Sequence, residues 1–182
     1  MNFDEEIEFM IGNIETFDDP HNPPTTATIH EKVITKSKRI TEKTGSHIPL
    51  ILVHTFKGLV PVIFEFPDSE IEKDRYCQEI KKLLATFEAQ GYSLILEGWS
   101  VDNNEHGHED LFSETRRPSS YPNGQEILQI ITEDAYNFRR TSAFKVIKRK
   151  IKGKEKTKLM QREDFEDFNG KLCGLLERRT KH

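Results

Sequence analysis

The sequence predicts an α+β fold, with a single mainly antiparallel sheet of about five strands and helices packed on one face. Three observations carry this. The hydrophobic periods run helix, helix, two strands, helix, three strands, helix, instead of alternating strictly. The last two strands are joined by a short polar turn around Asp134 to Arg140, which favours antiparallel neighbours. The 182-residue length suits one core with trimmings better than two domains. Hydrophobic residues make up 35% and charged residues 32%, so part of the chain is expected to lie outside that core.

Residues 1–24 read as an acidic N-terminal helix followed by a proline-rich linker, and 25–182 as the α+β domain. Ile7, Met10, Ile11 and Ile14 recur at helical spacing within Phe3 to Phe17, and Pro20, Pro23 and Pro24 stop any helix after them. Thr28 to Lys43 repeats the helical period through Ile29, Val33 and Ile40, with Thr28 and Glu31 in capping-box spacing and Gly45 as the stop. Ile48 to Phe66 is rich in β-branched and aromatic residues and is divided by Lys57-Gly58, the pattern of a hairpin. Pro61 places its second strand at an edge or bulge.

Ser69 and Glu72 form a second capping box before a helix whose apolar face is Tyr76, Ile80, Leu83, Leu84 and Phe87, with Gly91 as its stop. Strands follow at Tyr92 to Val101, Glu126 to Ile131 and Ser142 to Ile147, the last two joined by a turn around Asp134 to Arg140. A basic hairpin at about 145–158 comes next. Leu159 to Arg179, with Phe165, Phe168, Leu172, Leu175 and Leu176, reads as a C-terminal helix, or as two short ones divided at Gly170 and Gly174.

Charge is unevenly placed along the chain. Met1 to Asp19 holds seven acids and no Lys or Arg, whereas Lys145 to Lys158 holds eight basic residues against Glu155 alone. No stretch approaches the roughly 20 apolar residues of a membrane span. The first residues are acidic where a secretory signal would be basic, so a cytoplasmic protein without a membrane partner is expected. Cys77 and Cys173 lack C-x-x-C spacing and read as reduced, packed thiols.

The connection from Val101 to Gly124 is long and polar, the kind of loop on which binding residues sit. It leaves the strand that holds Glu97 and the only tryptophan, Trp99. Arg116 and Arg117 precede a proline-stiffened turn, where paired guanidinium forks suit a phosphate or carboxylate, and Ser119 and Tyr121 add hydroxyl donors. The plainer reading is that Pro118 and Pro122 shape the loop while an arginine pairs with Glu97 or Glu126. His106 and His108 offer two imidazoles to a metal, with Asp102, Glu109 or Asp110 as a carboxylate ligand, or else decorate a solvated turn. Glu97, Glu126 and Glu133 could pair as carboxylates if their strands are neighbours, and His54 reads as a satisfied histidine within a strand.

The run through Lys148, Arg149, Lys150, Lys152 and Lys154 could track a phosphate backbone by charge. Few aromatics lie near it, and lysines also guard edge strands against aggregation. No phosphate-binding glycine loop, dinucleotide turn or serine-nucleophile signature is present, and no cofactor is expected.

Glu97-Gly98-Trp99, then Arg117-Pro118-Ser119-Ser120-Tyr121-Pro122, then Gln125-Glu126-Ile127-Leu128 resembles a pattern in small bacterial and phage α+β proteins without an assigned activity. It covers residues 70–132 and implies an α+β fold and little more. The leading expectation is a non-enzymatic interaction or regulatory protein of a bacterium or phage, meeting a protein partner through Glu97, Trp99, Arg116, Arg117, Ser119 and Tyr121. A nucleic-acid-binding protein using the basic hairpin is the alternative. A small metal-assisted hydrolase using His106 and His108 is the third.

Overall fold

The computed structural model describes residues 10–11, 15–19, 21–65, 70–100, 124–162 and 174–176. In chain order these form β1 (Met10–Ile11), β2 (Glu15–Thr16), α1 (Thr26–Thr44), β3 (Leu50–His54), β4 (Gly58–Ile63), α2 (Glu70–Thr86), β5 (Gly91–Ser100), β6 (Gln125–Asp134), β7 (Arg139–Ile151) and β8 (Lys154–Gln161). Every strand pairing is antiparallel, in the order β1–β4–β3–β5–β6–β7–β8, and β2 shares the outer side of β4 with β1. The sheet is thus seven strands across, built from eight segments, where about five strands were expected.

Two segments read as helical account for the difference. Met10–Ile11 and Glu15–Thr16 are extended and pair with Ile63, Val62, Leu59 and Gly58 of β4. The hydrogen-bonding edge of β4 offers these residues backbone partners that helical spacing in the sequence cannot reveal. Likewise Leu159–Gln161 belong to β8, not to a C-terminal helix, because Leu159 faces Val146 across the ladder. Phe17, Arg162 and Gly174 to Leu176, also within the expected helices, are not helical; the other residues of both expected helices, and the Ser69 cap, lie outside the described residues.

The helices also lie on opposite faces of the sheet, not on one. Ile51, Val53, Tyr92, Leu94 and Ile131 pack with Tyr76, Cys77, Ile80 and Leu84 of α2. Leu50, Leu52, Ile95, Leu128, Ile130, Phe144 and Leu159 turn the other way, toward Ile29 and Val33 of α1. A strand such as Leu50-Ile51-Leu52-Val53, apolar at every position, presents hydrophobic surface on both sides, and each side needs a cover.

Local chemistry sets the ends of each helix. The Thr25 hydroxyl accepts from Thr28 N at 3.2 Å, and Gly45 closes α1 in the left-handed region at φ 87°. Glu88, not Gly91, ends α2. It takes φ 49°, with Glu88 N donating to Ala85 O at 3.0 Å and Ala89 N to Leu84 O at 2.9 Å, a Schellman closure. Gly91 opens β5, where a Cβ would stand 2.8 Å from both the Glu133 carbonyl and His54 Nδ1. Between β6 and β7, Asp134 Oδ1 accepts from Tyr136 N and Phe138 N at 2.7 and 2.9 Å.

A chain of buried polar side chains fastens α1 to the sheet. His54 Nε2 lies 2.9 Å from Ser93 Oγ, which lies 2.9 Å from Thr132 Oγ1; His30 Nδ1 is 2.8 Å from that hydroxyl, and its Nε2 is 3.0 Å from Ser142 Oγ. Each hydroxyl and each neutral imidazole has one proton to give, so the four bonds can all form in a single direction along the chain. His54 is thus a satisfied core histidine. No helix among the described residues is long and apolar enough to cross a membrane.

Candidate nucleic-acid interface

β7 and β8 turn through Lys152 and Gly153, both at positive φ (51° and 77°), as a tight hairpin on a right-twisted ribbon requires. β7 and β8 thus form a hairpin across the basic run, and β7 is longer than the strand read from sequence. The ladder between β6 and β7 runs from Glu133↔Arg139 to Ile127↔Lys145, whereas that between β7 and β8 continues to Ile151↔Lys154. Past Lys145 the last ties to β6 are Gln125 Nε2 to Val146 O at 3.3 Å and the Lys148–Glu126 ion pair at 2.9 Å. Among the described residues, the tip of the hairpin is a two-stranded ribbon with no third strand beside it.

The pleat sorts its side chains into two unlike faces. Phe144, Val146 and Leu159 point to α1 and are buried. Lys148, opposite Thr157, and Lys150, opposite Glu155, continue that face. The other, outward face carries Lys145 opposite Met160, Ile147 opposite Lys158, Arg149 opposite Lys156, and Ile151 opposite Lys154. It holds five cations, three apolar residues and no acid. None of the five cations has an ion pair or side-chain hydrogen bond among the described residues. Ile151 and Met160 are 47% and 50% exposed. A depression of about 410 Å³ runs along this face and reaches round the β8 edge to Thr157 and Glu42, whose carboxylate accepts from Leu159 N at 3.3 Å.

The five expected nucleic-acid contacts are therefore divided. Arg149 and Lys154 lie on the outward face, and Lys152 sits in the turn. Lys148 and Lys150 lie on the inner face, where Lys148 is engaged by Glu126; that hydrogen bond raises the lysine pKa above its ordinary value. Lys145, Lys156 and Lys158 join the outward set instead. Counting every second residue outward along both strands from the Ile151–Lys154 pair that flanks the turn would have found them.

Of the expected partner-binding residues, Glu97 and Trp99 lie in β5 on the α1 face. Glu97 Oε1 accepts from His47 N at 2.5 Å. Burial, reinforced by the charge of Glu126, raises the Glu97 pKa, with the His47 amide pulling the other way. Burial lowers the pKa of His47. Trp99, 47% exposed, sits opposite Glu126. Glu97 and Glu126 thus share a face, but one is bound to a backbone amide and the other to Lys148. Glu133 lies on the opposite face, where its Oε2 accepts from Tyr92 Oη and Gly174 N, both at 2.8 Å, and its Oε1 forms an ion pair with Arg139 Nε at 3.2 Å.

Arg116, Arg117, Ser119, Tyr121, His106 and His108 lie outside the described residues. Among the described residues no three His, Cys, Asp or Glu side chains are grouped to hold a metal ion. A cavity of about 190 Å³ between α1 and the sheet is lined mainly by Val33, Ile40, Leu52, Leu59, Pro61 and Ile95, with the Lys36–Glu15 ion pair among its lining residues. Comparison with protein-family models, curated proteins and solved structures finds no match to the chain.

Proposed function

We propose that the protein is a non-enzymatic binding protein that holds the phosphate backbone of a nucleic acid on the outward face of the β7–β8 ribbon. The observation that carries this reading is the acid-free face itself, above all Arg149 directly opposite Lys156. Like charges facing each other across a ladder cost stability, and a polyanion relieves that cost. Protection of an open edge needs lysines only on the edge strand β8. It does not account for Arg149 and Lys145 on β7, or for cations kept clear of Glu155 and Glu126 on the other face.

Changing Lys145, Arg149, Lys154, Lys156 and Lys158 to glutamine should abolish binding to labelled nucleic acid at low salt, while changing Lys148 and Lys150 should cost little. Equal losses from both sets would remove the assignment of the face.

A second reading, a protein partner docked at Trp99, rests on the exposure of that ring on a rigid strand beside the half-buried Glu97. Arg116, Arg117, Ser119 and Tyr121 would be its companions on the following segment. Trp99→Ala should then weaken capture of the partner without changing nucleic-acid binding.

A further inference from the structure

The projection of the hairpin says which nucleic acid fits. We infer that the β7–β8 ribbon docks in the major groove of B-form duplex DNA, with its outward face toward the base edges. This rests on the nucleic-acid reading above and narrows it to one substrate class.

Size decides the groove. The B-form major groove, about 12 Å wide, admits a two-stranded ribbon, and the minor groove, about 6 Å wide, does not. Only a part of the ribbon free of its neighbours can enter; among the described residues β6 no longer pairs with β7 beyond Lys145, and α1 meets β8 on the inner face at Leu159 and Thr157, which leaves the tip from Arg149 to Lys156 clear. The major groove of A-form RNA is deep and narrow, closed to side chains.

The chemistry of the face separates duplex from single strand. Single-strand sites combine cations with aromatic platforms on which bases stack. The outward face has no aromatic residue; its apolar members are Ile147, Ile151 and Met160.

The two strands present different rows. β8 carries Lys154, Lys156 and Lys158 at every second residue, about 7 Å apart along the strand. That row suits successive phosphates on one wall of the groove. β7 carries Ile147, Arg149 and Ile151, an arginine fork between two aliphatic side chains. Arginine pairs bidentately with the guanine O6 and N7 edge, and aliphatic groups meet the thymine methyl, so this row suits base edges. The inner face offers neither row, since Glu155 interrupts it and Glu126 engages Lys148.

The test compares the full chain against four probes: a short DNA duplex, the RNA duplex of the same sequence, the single DNA strand, and phosphatidylcholine vesicles containing phosphatidylserine. The DNA duplex should bind about ten-fold or more tighter than the RNA duplex or the single strand, the size of one good bidentate discrimination. Dimethyl sulfate probing should show protection at guanine N7, in the major groove. Arg149→Lys should retain most of the salt dependence and lose most of the duplex preference, whereas Lys156→Gln should lower the salt slope by about one.

Equal or tighter binding to RNA or single strands, or protection confined to adenine N3 in the minor groove, would overturn the groove assignment while leaving nucleic-acid binding standing. Binding to the vesicles with none to nucleic acid, or binding to no probe at all, would overturn both.

Discussion

The buried chain from His54 to Ser142 makes the fold sensitive to mild acid in a calculable way. His54 is 3% exposed, and burial pushes its pKa from 6.5 down to about 3, against a weaker opposing pull from Asp134. In the unfolded chain the imidazole takes up a proton below pH 6.5; in the folded protein it does so only near pH 3. Between those values the unfolded state binds more protons, so stability is fully present above pH 6.5 and is lost as pH falls through the window. At 1.36 kcal/mol per pH unit the whole window carries about 5 kcal/mol, of which about 3 kcal/mol is gone by about pH 4. That is a large share of the roughly 5–15 kcal/mol typical of a domain.

His54→Gln removes the titration while keeping an amide donor for Ser93. Urea unfolding of both proteins from about pH 7 to about pH 4 isolates the residue, because all other titrations cancel in the difference. The stability advantage of the native protein over the variant should shrink by about 3 kcal/mol across that range. Parallel curves, with the difference constant, would refute a neutral, buried His54. His30, whose pKa is also lowered, first by burial and then by Arg140, adds to the acid sensitivity of both proteins alike.

Two further substitutions test the frame around this chain. Glu133→Ala strips partners from Tyr92, Arg139 and the Gly174 amide and should cost about 3 kcal/mol, with amide exchange at Gly174 to Leu176 accelerating more than in the β3–β5 core; Glu133→Gln should recover part of the loss. Gly91→Ala drives a methyl against the Glu133 carbonyl and His54 and should lower stability by about 1–3 kcal/mol in denaturant unfolding, with the helical far-ultraviolet signal retained.

Local signals in the sequence served where the partner of a segment is itself local. The α2 stripe through Tyr76, Ile80 and Leu84 and the β3–β4 and β6–β7 hairpins follow from spacing and turn chemistry. Met10 and Ile11 show why others do not. The same apolar spacing that suits a helix also suits two residues laid against Ile63 and Val62, and only the unpaired edge of β4, some fifty residues later, decides between them.

The placement of the helices was half-visible. The unbroken apolar run Leu50 to Val53 already says that both faces are covered. The polar chain was not visible at all, because His30, His54, Ser93, Thr132 and Ser142 come from five elements and meet only in the finished register. At the basic hairpin the charge was legible but its partition was not. The turn at Lys152-Gly153 fixes which lysines share a face, and Glu126 and Glu155 then set Lys148 and Lys150 apart from Arg149 and Lys156.

The central claim is that the cations on one face of the ribbon hold a DNA duplex, with its four lysines on phosphates, and the salt dependence of binding to a duplex tests it most directly. Four phosphate contacts, from Lys145, Lys154, Lys156 and Lys158, predict a fall in log affinity against log salt with a slope of about −3.6, and a loss of measurable binding when these lysines and Arg149 become glutamine. Binding that is independent of salt, or that survives the five changes with its slope intact, would contradict it.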